Sequence, residues 1–272
     1  MTAALGAVRM AVVVVVVVVV VITAIAAQVV AEPRQAGQPR LILWAWSRSD
    51  DLSFLARTPA PHAIDVAYLS GELLLQPNGL RVHPRLRPLR LPSHIERTAV
   101  AFMDVSRRYH RPLTSADIER LARRLRALPL MRDAERVQLN FEAVHSRRGE
   151  WQALATELRR QMPAQQHLDA AVLADWCMDP AFAPTDVERV VPMLYRLGPR
   201  SPALQRILAG AARFPSRACG DALGIATDEL DRVALPALAA ARWIYVFGPQ
   251  SWTDARTESV QAHLAPVLGP RR

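Results

Sequence analysis

The 272-residue chain contains no lysine, so its formal net charge of +9 is carried by arginine alone. That points to a GC-rich coding bias before it points to a partner. The arginines are scattered (Arg81, Arg85, Arg87 and Arg90; Arg120, Arg123, Arg124 and Arg126; Arg147 and Arg148) and no aromatic residues interleave with them to stack bases. Solvated helix faces are the plainest reading, attraction to an anionic membrane or envelope surface the next, and no nucleic-acid partner is expected. Only two cysteines occur, Cys177 and Cys219, which excludes a disulfide-rich scaffold and a cysteine-only zinc site. One disulfide stays open outside the cytoplasm, and the sequence does not settle whether the two meet. The seven histidines lack metal-ligand spacing, and there is neither a Gly-x-Ser-x-Gly elbow nor a glycine-rich phosphate loop. No metal or cofactor is therefore expected. A thiol nucleophile at Cys177 would need His167 or His145 as base, and a packed cysteine is the simpler account.

The chain is 51% hydrophobic and 22% charged, enough apolar material for a sizeable core in a single domain. Its first feature is an apolar run from Ala11 to Ala27 that includes ten consecutive valines, Val12 to Val21. At ~1.5 Å of rise per residue such a run crosses roughly 30 Å of hydrocarbon as a helix, the form whose backbone satisfies itself in lipid. Two readings compete for residues 1–31. Small residues at Ala24, Ala26, Ala27 and Ala31 suit a cleaved signal peptide, whereas the length of the apolar core suits an uncleaved transmembrane anchor. Both put the body outside the cytoplasm, at the cell membrane or in the periplasm or medium. Residues 32–40, polar with two prolines and a glycine, read as a linker, and residues 41–272 as the globular body.

In that body, β-rich apolar runs alternate with helical periodicity, the mark of parallel α/β architecture. The strands expected are Leu41–Trp46, Ile64–Leu69, Thr98–Asp104, Arg136–Glu142, Leu168–Ala174, Val190–Tyr195, Ala222–Ala226 and Trp243–Phe247, eight in all. Eight strands in a body of this length suit a (β/α)8 TIM-like barrel, an irregular one included. Helices are expected over Ser115–Leu128, capped by Thr114 or Ser115 and stopped by Pro129, and over Gly149–Met162, stopped by Pro163. The stretch from Gln76 to Pro92 carries four prolines, which exclude a helix and leave at best edge strands in a long loop or small excursion.

Reactive residues of such barrels sit where strands run into the following loops. The candidates are Trp44 and Trp46, Glu72, Asp104, Asn140 and Glu142, Asp175 and Trp176, Tyr195 and Arg196, and Asp228 and Glu229. The sharpest pattern is Val137-Gln138-Leu139-Asn140-Phe141-Glu142, whose alternation sets Gln138, Asn140 and Glu142 on the face that points into a closed barrel. A polar row there is costly unless it is hydrogen-bonded or used. It serves either a functional mouth or a buried lattice in which Asn140 and Glu142 meet Tyr195 or Arg196. Trp44 and Trp46 share one face, as core filling or as a sugar-stacking platform, and Trp176 is the better stacking candidate. Arg196 is expected to pair with Asp104 or Glu142 before it binds a ligand carboxylate or phosphate.

Six segments in order, LILWAWSR, RVQLNFEA, LADWCMDP, VVPMLYRLG, CGDALGIATDE and YVFGPQSWT, resemble the bacterial domain-of-unknown-function family 3142 between about Leu41 and Thr253. The resemblance implies a glycoside-hydrolase-like barrel without an established reaction. That family usually carries aspartates where this chain has Asn140 and Glu142. An Asn-x-Glu pair ending a fourth barrel strand also resembles endo-acting N-acetylglucosaminidases with substrate-assisted chemistry. On that resemblance Glu142 is the general acid, with a raised pKa, and Asn140 orients the substrate's acetamido group. Two functions follow as expectations: a glycosidase of an amino-sugar envelope glycan, or a non-catalytic barrel binding a glycan or envelope partner. Oligomeric state is not legible.

Overall fold

The computed structural model describes residues 39–57, 64–142, 145–197 and 202–269. Its strands are β1 (Arg40–Ala45), β2 (Asp50–Asp51), β3 (Asp65–Gln76), β4 (Gly79–Pro84), β5 (Leu89–Arg90), β6 (Arg97–Val105), β7 (Arg136–Glu142), β8 (His167–Leu173), β9 (Arg189–Met193), β10 (Ala222–Ala226) and β11 (Trp243–Phe247). Eight of them run parallel in the order β1-β3-β6-β7-β8-β9-β10-β11, and β1 pairs with both β3 and β11. That double pairing closes the ring into a (β/α)8 TIM-like barrel. Each of the eight strands expected from the sequence forms.

Closure explains why the strands are apolar on both faces. In β1, Leu41, Leu43 and Ala45 belong to the core layer between sheet and helices, while Ile42 and Trp44 belong to a separate cluster inside the barrel with Val100, Val191 and Tyr245. The outer layer is covered by α1 (Ser115–Arg126), α2 (Arg148–Gln161), α3 (Pro202–Leu208), α4 (Leu235–Ala239) and α5 (Asp254–Leu268). In α1 the buried residues Ile118, Leu121, Ala122 and Leu125 follow the helical repeat of one face. Its start is fixed by a capping box: Thr114 Oγ1 accepts the backbone N–H of Asp117, and the Asp117 carboxylate accepts the backbone N–H of Thr114. In α2 the same spacing buries Trp151, Leu154, Ala155 and Leu158.

The barrel is irregular in its crossovers. Between β8 and β9 only a 3-10 turn, Trp176–Met178, replaces a helix. Between β3 and β6 the chain makes a hairpin: β3 continues beyond the expected Leu69 to Gln76, its later half pairing antiparallel with β4 instead of with β1. The proline-rich stretch thus supplies an edge strand, as its prolines allow, and of the long loop or small excursion expected there it is the small excursion that forms. The register slips between Leu69 and Gly71, and a Cβ on Gly71 would come within 2.7 Å of Leu128 Cδ2 and 2.9 Å of the His83 carbonyl oxygen. Glycine is what lets β4 and the end of α1 approach at that point.

Cys177 and Cys219 form a disulfide that ties the turn after β8 to the segment before β10. The run from Ala11 to Ala27 lies outside the described residues, and among the described residues no helix is long and apolar enough to cross a membrane.

Candidate functional site

The barrel interior is built in storeys. At the N-terminal ends of the strands, Asp169 is fully buried and holds Arg136 at 2.8 Å and Arg189 at 3.5 Å. Arg189 also donates to the Tyr245 hydroxyl at 2.7 Å and lies over the Trp243 ring at 4.0 Å. Burial pushes the Asp169 carboxyl up against the opposing pull of Arg189 and Arg136, and pushes the Tyr245 phenol up as well. These groups close the floor of the barrel, the end that serves stability in this architecture. Sequence reasoning did not single them out, although Arg136 and Asp169 lie on one face of adjacent strands and are opposite in charge.

One storey up, the Trp44 indole N–H donates to Gln138 Oε1 at 2.7 Å, both side chains being buried. Gln138 thus answers part of the cost of the polar row expected on β7. The ring has room because β10 offers a glycine: a Cβ on Gly224 would stand 2.9 Å from Trp44 Cη2. Trp44 is 2% exposed and fills the core, so the stacking role weighed for it is not available.

At the C-terminal mouth the candidates divide. Asn140, 3% exposed, has a buried Oδ1 with no hydrogen-bond partner. The Cα register sets Glu142 opposite Asp104, and Asn140 opposite Phe102. Glu142 ends β7, and its side chain lies outside the described residues. Glu72 stands opposite Phe102 from β3. Around these positions lies a partly exposed aromatic rim: Trp46 meets Phe102 edge-on at 5.6 Å and Phe247 at 6.0 Å, and Phe247 stacks on Tyr195 at 5.5 Å and 5°. Trp44 closes the underside with an edge contact to Tyr195 at 6.3 Å. Phe102 and Phe247 were missed as site residues. Period two along their expected strands, counted from Asp104 and Tyr245, is the signal that finds them.

The rim is braced from outside. The Arg85 guanidinium donates to the carbonyls of Ala45 and Trp46, and pairs with Asp50 at 3.5 Å, the two side chains being 3% and 2% exposed. Asp50 accepts the Trp252 backbone N–H, and the Trp252 indole donates to the Trp44 carbonyl at 2.9 Å. Burial raises the Asp50 carboxyl and lowers the Arg85 guanidinium, each opposed by the charge of the other. β1 therefore presents Trp46 from a fixed backbone.

The remaining candidates stand apart. Trp176 is 0% exposed, packed edge-on against Trp151 at 5.4 Å and against Phe182 at 6.0 Å. The 3-10 turn after β8 rotates it under α2, so it offers no face to a ligand, contrary to expectation. Asp175 and Asp228 are exposed. Glu229 accepts the Arg196 backbone N–H and pairs with Arg232 at 3.4 Å. Arg196 makes no ion pair among the described residues, so the expected pairing with Asp104 does not form, and the Glu142 side chain lies outside the described residues; the Arg196 guanidinium lies 5.2 Å from the Phe247 ring centre. The lattice of Asn140 with Tyr195 or Arg196 does not form through Asn140 Oδ1.

A concavity of about 430 Å³ lies on the outer flank between α2 and the β8–β9 segment, lined by Arg148, Gln152, Thr156, Phe182 and Asp186 among others. Its polar groups are engaged: Arg148 pairs with Asp179 at 2.7 Å, and Thr156 donates to Asp186 at 2.6 Å. Among the described residues no three His, Cys, Asp or Glu side chains converge to hold a metal ion. Compared with known proteins, the chain matches no family profile and no curated sequence.

Proposed function

We propose that the protein is an exported or membrane-anchored barrel that acts on an amino-sugar-containing glycan at its C-terminal mouth, with Glu142 as general acid. The observation that carries this reading is Asn140: a buried acceptor without a donor beneath a rim of aromatic rings. An unsatisfied buried acceptor costs about 1–3 kcal/mol, a cost that a ligand donor removes. The N–H of an acetamido group is such a donor, and aromatic faces suit the apolar faces of sugar rings. Held there, the acetamido carbonyl oxygen attacks the anomeric carbon, the glycosidic C–O bond breaks, and Glu142 delivers its proton to the leaving oxygen. Water then opens the cyclic intermediate and returns a proton to Glu142. Asn140, being neutral, orients the acetamido group without neutralising the charge that develops on it.

Export is supported by the N-terminal apolar run and by the Cys177–Cys219 disulfide, which belongs to an oxidising compartment. The resemblance to the domain-of-unknown-function family belongs to the same proposal. A second reading, a barrel that binds glycan without cleaving it, is favoured by the neutral amide of Asn140 standing where that family carries an aspartate.

Reducing-end release from N-acetylglucosamine oligosaccharides, together with binding, separates the two. Glu142→Gln is expected to lower the rate by about 10²-fold or more with binding and melting temperature unchanged. Binding without release by the wild type would establish the non-catalytic barrel, and absence of both would end the glycan reading.

A further inference from the structure

Charged groups ring the mouth, and the Glu229 carboxylate stands beside Arg196. Glu72 belongs to β3 and Arg196 follows β9, strands four places apart in a ring of eight and so on opposite sides of the opening. Asp104 lies on β6. Arg196 is also held in an uncommon way. Its φ is +51°, the left-handed region that a side chain with a Cβ enters at a cost. The Glu229 carboxylate fixes its backbone N–H, with oxygens at 3.2 and 3.3 Å, yet does not take up its guanidinium. The guanidinium lies over Phe247, exposed, without a carboxylate among the described residues. Phe247 in turn stacks on Tyr195. A planar cation parked on an aromatic ring keeps its N–H edges free for a bidentate acceptor.

We propose that Arg196 and Phe247 form an anion-selecting subsite, so that the glycan taken by the mouth carries a carboxylate on the sugar lying over β9 and β11. The class is an acidic amino-sugar glycan, in which a hexuronate alternates with an N-acetylhexosamine. A sulfate ester presents similar acceptor geometry, and the test distinguishes the two. The inference rests on the glycan reading above.

The test is calorimetric titration of the purified protein with three probes: a hyaluronan hexasaccharide, the same hexasaccharide with its carboxyls reduced to alcohols, and a keratan sulfate oligosaccharide, which carries sulfate but no carboxylate. The hyaluronan hexasaccharide is expected to bind about tenfold or more tighter than its reduced form, the scale of one charge-assisted bidentate contact, with a preference that weakens as salt rises. Arg196→Asn is the variant to use, because asparagine enters the left-handed region at low cost and keeps the turn. It should abolish the preference and leave affinity for the reduced chain and the melting temperature unchanged. Equal binding of the two hyaluronan forms, or a preference that survives Arg196→Asn, overturns the subsite and leaves the glycan reading standing. An Arg196-dependent preference for keratan sulfate alone overturns the carboxylate assignment in favour of a sulfate ester. Failure of all three probes while an N-acetylglucosamine oligosaccharide binds overturns the acidic class alone, and failure of that oligosaccharide as well overturns the glycan reading.

Discussion

At Gly224 the absence of a side chain decides where the Trp44 indole lies, and through it whether Gln138 Oε1 receives a donor. A methyl group there would meet Trp44 Cη2 at 2.9 Å and Cζ3 at 3.0 Å, closer than real carbon contacts allow. The ring cannot retreat easily, since Tyr245 lies at 5.1 Å and Tyr195 at 6.3 Å between ring centres. Gly224→Ala should therefore destabilise the barrel by about 1–3 kcal/mol, the usual cost of overpacking, and shift the tryptophan fluorescence. Urea unfolding measures the first, and unchanged stability would show that the Trp44 pocket is slack. At this scale the sequence was informative at some strand ends and not at others, since Asp175, Trp176 and Asp228 stand apart from the rim. Asn140, Trp46, Tyr195 and Arg196 were all found by position alone, since strand ends define the mouth of any barrel. It was uninformative where a role depends on a distant partner. Nothing local to Gly224 or Arg85 says that one faces an indole and the other clasps the carbonyls of Ala45 and Trp46. Trp176 misled for the same reason, because a residue next to a strand end still turns inward when a 3-10 turn replaces a helix.

Among the elements, α1 shows how a local signal becomes stability. Its N-cap was legible as Thr114 or Ser115, the capping box with Asp117 selects Thr114, and the helix starts as expected at Ser115. Hydrogen bonds from the Thr114 hydroxyl and backbone N–H, then the neighbouring Arg120, hold the Asp117 carboxyl below its ordinary value of 3.8. A carboxyl lowered in the folded state is protonated first in the unfolded chain. Its contribution is thus complete above about pH 4 and is lost as the pH falls through the lowered folded value. Asp117→Asn should cost roughly 0.5–2 kcal/mol at pH 6, the range of an N-terminal cap, and much less at pH 3. Chemical unfolding of both proteins at the two pH values measures this, and a gap independent of pH would show that the charge plays no part. The second barrel strand was less legible than α1. Ser70-Gly71 reads as a break, but β3 runs through it, because β4 replaces β1 as its partner and glycine admits both β4 and Leu128.

For the whole molecule, the barrel followed from counting strands and from their alternation with helical periodicity. Its floor did not. Asp169, Arg136, Arg189 and Tyr245 come from four strands and form one buried network that closure alone brings together. With the floor sealed by that network and the middle filled by Trp44, Asn140 lies beneath the rim with an acceptor unspent. The central claim is that a glycan supplies the missing donor. The most direct measurement is a crystal structure of Glu142→Gln with a bound N-acetylglucosamine oligosaccharide. The account predicts an acetamido nitrogen within about 3.2 Å of Asn140 Oδ1 and a sugar ring against Trp46 or Phe247. A saccharide seated elsewhere, such as the cleft beside α2, or an Asn140 Oδ1 that remains without a donor beneath a bound sugar, would contradict it.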